Sequence, residues 1–319
     1  MTQALLLLVA PIVFSLGSDP MLANECSISA SIQPSRPTAI EREPVELVVT
    51  FQNSGPVPVR VAMAYPSLGG YGNPGLLLNY GGPPASANGT SNTIESIITI
   101  PANSSWTVKV YLQRYAPNPR IGSQRVFWSL QTPCVAENLR QVDLIVQHGS
   151  FVIETRSGRP EDLTNLARTY ASALDSEDSR KRQEAVEALV VFPDPAVIPY
   201  LEQLMKSGYT EQAFDALRKF IGTAAARSVV LSALRSGDRP TVRAALQTLV
   251  AWRMPLDVAA LDEMASTAPG PVQIEFLKYI QLIQDPNYMP IVNRLISSED
   301  ESVSQVARQV AAALASRQK

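Results

Sequence analysis

The chain has 319 residues, is 45% hydrophobic and 18% charged, and carries 27 Lys and Arg against 29 Asp and Glu, a formal net charge of −2. This length allows about two domains, each with a core of its own, and the near-neutral charge gives no electrostatic footprint for nucleic acid. The 25 prolines fall mostly ahead of residue 200, which predicts a loop-rich first half and a more helical second half.

The N-terminus, MTQALLLLVAPIVFSLGSDPMLANEC, has an apolar run from about Ala4 to Leu16. The run is too short to span a bilayer as a helix and reads as the core of a secretory signal over residues 1–23, with cleavage after Met21-Leu22-Ala23. No later stretch reaches about 18 uncharged apolar residues. The mature chain is therefore expected outside the cytoplasm, periplasmic or secreted, without stable membrane insertion once the signal is removed. Cys26 and Cys134 agree with export. Paired, they would close a loop of about 110 residues, worth on the order of 4 kcal/mol; the alternative is two unrelated small core residues. A catalytic thiol needs a neighbouring base, and the chain has one histidine.

From residue 24 to 155 the apolar period is two. In PVELVVTF, Val45, Leu47, Val49 and Phe51 alternate with Glu46, Val48 and Thr50; in WTVKVYL, Trp106, Val108, Val110 and Leu112 alternate with Thr107, Lys109 and Tyr111. CSISASI, VPVRVAMAY, TIESIITI, SQRVFWSL, QVDLIVQ and SFVIETR add further strands. About seven or eight short strands without an intervening helix predict a β-sandwich. The segments EREPVELVVTFQNSGPVPVRV and ITIPANSSWTVKVYL resemble immunoglobulin-like modules of exported bacterial proteins, with Arg42 and Ala102 where many of those have glycine. That resemblance implies a fold and no activity.

A Gly, Pro and Asn-rich segment runs from Ala64 to Asn92, longer than a hairpin needs, with Tyr65, Tyr71 and Tyr80 interleaved. One reading is a partner-binding or carbohydrate-binding loop, since tyrosine offers contact area at low entropic cost. The other is an excursion pinned to the sandwich by Leu76, Leu77 and Leu78. Asn88-Gly-Thr and Asn103-Ser-Ser match the short pattern for N-glycosylation.

Residues 156–160 form a linker, and from Glu161 to Lys319 the period becomes helical. Pro160 followed by Glu161 and Asp162 suits a helix start. Two-helix units then recur, and Ala185, Ala213, Ala245, Phe276 and Val306 mark spacings of about 28 to 32 residues, the signature of an α-solenoid. The joints DPAVIPYLEQLM and DPNYMPIVNRLI, the DRPTVRAAL opening with Asp238, Val242 and Arg243, and its echo DESVSQVA resemble HEAT repeats. The resemblance implies that the second helix of each unit lines an inner groove, and it places Tyr200, Gln203, Lys206, Arg227, Arg235, Asp262 and Asn293 there. The alternative is a solenoid that serves as a spacer or packs on its own sandwich.

The only histidine, His148 in VQHGSF, is read as a strand-end or turn residue without a metal-binding companion. No nucleophile elbow, zinc-protease motif or phosphate loop occurs. Glu177-Asp178 and Glu299-Asp300-Glu301 sit where helix capping explains them, and Arg180-Lys181-Arg182, offset by nearby carboxylates, reads as a solvated face. The expectation is an all-β plus all-α chain, an immunoglobulin-like sandwich followed by a short HEAT-like solenoid, acting as an exported non-enzymatic scaffold for a protein or peptide partner. No cofactor or metal is expected. The competing reading is a sandwich-loop protease inhibitor, a carbohydrate-binding module or a HEAT-type lyase-like enzyme.

Overall fold

The structure, a computed structural model, describes residues 26–63, 76–82, 96–135 and 141–316. The signal-like residues 1–23, Tyr65, Tyr71 and the pattern at Asn88 lie outside the described residues. Among those described, the first half contains β1 (Ile28–Pro34), β2 (Thr38–Ile40), β3 (Glu46–Asn53), β4 (Val59–Met63), β5 (Leu76–Asn79), β6 (Ser96–Ile100), β7 (Ser104–Tyr111), β8 (Gly122–Val135) and β9 (Gln141–Arg156). One antiparallel sheet has the order β1-β3-β7. The other runs β2-β9-β8-β4-β6, with β2 parallel to β9 and β5 also paired with β8.

The two-residue period decides which faces meet. Val45, Leu47, Val49 and Phe51 are buried and share one apolar core with Val61, Val126, Trp128 and Ile153 of the other sheet. Leu76 and Leu78 are buried there as well, so β5 pins the tyrosine-rich segment onto β8. QVDLIVQ and SFVIETR, expected as two strands, form the single strand β9. Gly149 lies opposite Trp128, and a Cβ there would come within 2.4 Å of the indole. The glycine serves a close approach, not a turn. His148 consequently sits mid-strand, exposed and opposite Ser129, and not at a strand end.

Two devices tie the sheets together. Cys26, ahead of β1, is disulfide-bonded to Cys134 of β8, with Cα atoms 6.5 Å apart and a sequence separation of 108. Gln147 of β9 reaches the outer edge of β1, where its Nε2 donates to the Ile28 carbonyl at 3.0 Å and its Oε1 accepts from the Ala30 N–H. A single amide thereby occupies outward main-chain groups that would otherwise template further pairing.

The connecting segment is 157–159, shorter than expected, because β9 extends to Arg156 and a helix begins at Pro160. The second half contains α1 (Pro160–Ala173), α2 (Ser179–Val191), α3 (Ile198–Lys206), α4 (Thr210–Leu217), α5 (Ala224–Leu234), α6 (Arg239–Ala251), α7 (Val258–Thr267), α8 (Gly270–Ile283), α9 (Met289–Ile296) and α10 (Glu301–Ser316). Of these, α2, α4, α6, α8 and α10 pack each on the next, while contact between α5 and α7 and between α7 and α9 is sparse. Ala185, Ala213, Ala245 and Phe276 are buried; in α10 it is Ala307 that takes the fully buried position and Val306 lies beside it.

Aspartates start the helices by accepting the orphan N–H groups of the first turn. Asp178 accepts from Arg180 and Lys181, Asp238 from Thr241, and Asp300 from Ser302 and Val303. At the proline joints Asp194 accepts from Ala196 N and Asp285 from Asn287 N, both at 2.9 Å, ahead of the 3-10 turns Pro195–Val197 and Pro286–Tyr288. Pro199 and Pro290 then fall in the first turns of α3 and α9, where the missing N–H leaves no bond unmade.

Between α6 and α7 the chain turns a single residue inward, between the exposed Pro255 and Asp257. Leu256 is buried; its N–H donates to the Tyr279 hydroxyl at 2.9 Å and its carbonyl accepts from the Tyr288 hydroxyl at 2.6 Å. The rings meet edge to face with centroids 6.3 Å apart. Tyr288→Phe removes the donor from a buried carbonyl and is expected to cost about 1–3 kcal/mol. Urea unfolding against Tyr200→Phe, a partly exposed tyrosine, checks this; equal midpoints for the two variants would contradict it.

A candidate binding cleft between sheet and helix

The two halves meet where α2 crosses β7. Val108 and Val110 point into the sheet core, so Thr107, Lys109 and Tyr111 face outward, yet Tyr111 is only 5% exposed because Ala188 and Val191 of α2 cover its ring. The run AVEALVVF makes α2 apolar on two sides: Ala185, Val186 and Leu189 belong to the helical core, and Ala188 and Val191 to the contact with Tyr111. The Tyr111 hydroxyl donates to the Glu184 carbonyl at 3.3 Å.

Ion pairs surround this contact. Lys109 Nζ lies 3.3 Å from the Glu46 carboxylate and 3.4 Å from that of Glu184, which also takes Arg180 at 3.2 Å. Arg42 reaches Asp194 at 3.4 Å. Solvent-screened pairs of this kind contribute at most about 1 kcal/mol each. Arg114 and Glu187 differ: they are in direct contact, and their side chains are 19% and 16% exposed. Burial pushes the Glu187 carboxyl above its ordinary value of 4.5, and the Arg114 guanidinium offsets this only in part. Burial also pushes the Tyr170 hydroxyl, beside the same contact, up to about 12. Lys219 donates to the Val190 carbonyl in the last turn of α2; burial, and after it the charge of Arg114, bring its ammonium down to about 8.

Toward the N-terminus of α2 the elements diverge and leave a cleft of about 520 Å³. One side is β7 from Trp106 through Tyr111, with Arg114; the other is Ser179, Arg180, Gln183, Glu184 and Glu187 of α2. Glu187 Oε1 is buried and has no hydrogen-bond partner among the described residues. The cleft therefore offers polar main chain and paired charges. Among the described residues no group of three or more His, Cys, Asp or Glu is arranged to hold a metal ion.

None of the residues expected on the second helices lines this cleft. Tyr200, Gln203 and Lys206 lie on α3, Arg227 on α5, Arg235 just past it, Asp262 on α7 and Asn293 on α9. Gln203 donates to the Ala171 carbonyl at 3.3 Å, and Asp262 pairs with Arg294 at 2.8 Å, so both act within the fold. Tyr200 packs partly against the helical core, whereas Lys206, Arg227, Arg235 and Asn293 are exposed. Tyr80 anchors its segment by donating to the Pro117 carbonyl at 2.8 Å, and burial pushes its hydroxyl up to about 12. From sequence, Arg114 has no assigned role and Glu184 and Glu187 read only as carboxylates that offset the Arg180-Lys181-Arg182 run, although Glu184, Glu187, Ala188 and Val191 share one helix face, a polar-to-apolar stripe that suits an interface.

No protein-family model and no curated protein matches the sequence. Solved structures to which the chain is similar include a mutant Salmonella alpha-2-macroglobulin, at 9% identity and a TM-score of 0.23. Another is the native conformation of E. coli alpha-2-macroglobulin, at 10% identity and a TM-score of 0.22. Each match takes in 91% of this chain and 26% of the other. A likeness at that level identifies neither a family nor an activity.

The raised Glu187 value has a pH consequence with a definite sign. A carboxyl whose folded value lies above its unfolded one favours the fold when protonated, so its contribution is full below the ordinary carboxylate range and is lost as pH rises through the raised value. Glu187→Gln, which cannot titrate, lacks that loss. The stability of the wild type relative to Glu187→Gln is expected to fall between about pH 4 and about pH 7. Urea midpoints of both proteins at the two pH values measure it, and a difference that stays constant or grows would contradict the assignment.

Proposed function

We propose that the protein is a non-enzymatic interaction module acting outside the cytoplasm, an immunoglobulin-like β-sandwich joined to a short HEAT-like α-solenoid, which receives a segment of a partner protein in the cleft between them. The carrying observation is the cleft itself, whose two sides come from separate halves of the chain and are held at fixed spacing by Tyr111 on α2. Its ionisable groups are tied to one another, Lys109 to Glu184, Arg180 to Glu184 and Arg114 to Glu187, an arrangement that suits recognition better than proton transfer. The core shared by the two sheets and the succession of stacked helices support the architectural part of the reading. The disulfide is compatible with an oxidising compartment, and no helix among the described residues is long and apolar enough to cross a membrane.

A photo-cross-linking residue at Gln183, inside the cleft, is expected to trap a protein adduct in the native extracytoplasmic setting. The same residue at Leu282, exposed on α8, traps none. Adducts at Arg227 or Asn293 without one at Gln183 would move the binding surface to the second helices. Absence of adducts at all three binding positions would overturn the interaction reading.

A further inference from the structure

We propose that the cleft takes an extended, uncharged segment of a partner polypeptide, which adds as a fourth strand to the outer side of β7. The inference rests on the cleft being the binding site and names what fills it.

The β3–β7 ladder has a fixed parity. Leu112 N donates to the Val45 carbonyl at 2.9 Å, and the register continues with Leu47 opposite Val110 and Val49 opposite Val108. Alternate residues of an antiparallel strand direct their main-chain groups to the partner. The even-numbered residues of β7 therefore bond β3, while Ser105, Thr107 and Lys109 turn their N–H and C=O groups away from it. Among the described residues no main-chain hydrogen bond engages them. The outer side of β7 is also where the cleft lies. Val108 and Val110 line it although their side chains are buried in the sheet core, so they reach it through the main chain. No β3 residue lines it. At the opposite edge of the same sheet, β1, Gln147 already occupies the outward Ile28 carbonyl and Ala30 N–H.

The charges of the cleft specify the occupant. Lys109, Arg114 and Arg180 are matched by Glu46, Glu184 and Glu187, all within ion pairs. A charged side chain would have to break one of those pairs to find a counterion, whereas an uncharged strand leaves them intact. In this mode main-chain bonds supply affinity and alternate side chains supply selectivity. Pairing along Ser105 to Tyr111 engages roughly six or seven residues, about 20 Å of strand.

The probe is a phage library of random octapeptides panned on the full chain, with enriched sequences then titrated as synthetic peptides. Uncharged peptides are expected, whose binding slows amide exchange at Ser105, Thr107 and Lys109. Thr107→Pro removes an outward N–H and leaves the ladder to β3 in place, since edge strands tolerate proline on that side. It is expected to weaken binding about tenfold, the size of one main-chain hydrogen bond, and Thr107→Val, which keeps the N–H, weakens it less. If Thr107→Pro does not fold, the exchange rates of the wild type decide. Peptides that lose affinity to the cleft-filling variant Gln183→Trp, yet leave both the exchange rates and the Thr107→Pro affinity unchanged, would overturn strand addition and keep the cleft as the site. Binding insensitive to Gln183→Trp would overturn both. Enrichment of charged peptides alone, or of none, would overturn the proposed occupant.

Discussion

Burial of Tyr111 against Ala188 and Val191 sets the distance between β7 and α2, and the polar groups around it can act only at that distance. The phenol is the wide part of a wedge: at its end the two halves touch, and about two turns back along α2 they stand apart as a cleft. Ion pairs as solvated as Lys109 with Glu184 would not hold the two halves together by themselves. Placed by a buried ring whose hydroxyl already donates to the Glu184 carbonyl, they act as alignment. Because α2 also belongs to the helical core through Ala185, Val186 and Leu189, the helical side of the cleft is held by that core and the sheet side by the other.

Much of the fold was legible in the sequence because its signals are local. The alternation through Val45 to Phe51, the change of period near Arg156 and the paired Asp-Pro joints each depend on a few neighbouring residues, and the structure follows them. The misreadings have local causes too. Gly149 within an apolar run looks like a break, although its purpose is to let Trp128 lie flat against β9. After α6 the chain turns through Trp252-Arg253-Met254-Pro255 without a glycine: Arg253 takes a φ of 54° and Met254 N donates to the Leu249 carbonyl. That is the glycine-type closure of a helix, carried here by arginine.

The cleft was not legible, since the residues that build it are far apart in the chain. Arg114 and Glu187 are 73 positions apart, and neither belongs to a recognisable motif. A run of cations offset by carboxylates is usually a solvated face, and only the underlying Ala188 and Val191 distinguish this one. Conversely, Gln203 and Asp262 looked available because a resemblance to a repeat implies a direction but not partners. In the folded chain the Ala171 carbonyl and Arg294 occupy them.

The closure of β1 by Gln147 has a consequence for self-association. A three-stranded sheet with two open edges could join β7 of one molecule to β1 of the next, a head-to-tail contact that repeats without end and grows a filament. With an amide seated on Ile28 and Ala30, a neighbour's strand would have to displace Gln147 to pair along the start of β1. The molecule can present β7 in a crowded compartment without becoming a unit of a fibre, so a glutamine facing the opposite side of the sheet is what makes an exposed strand safe to keep.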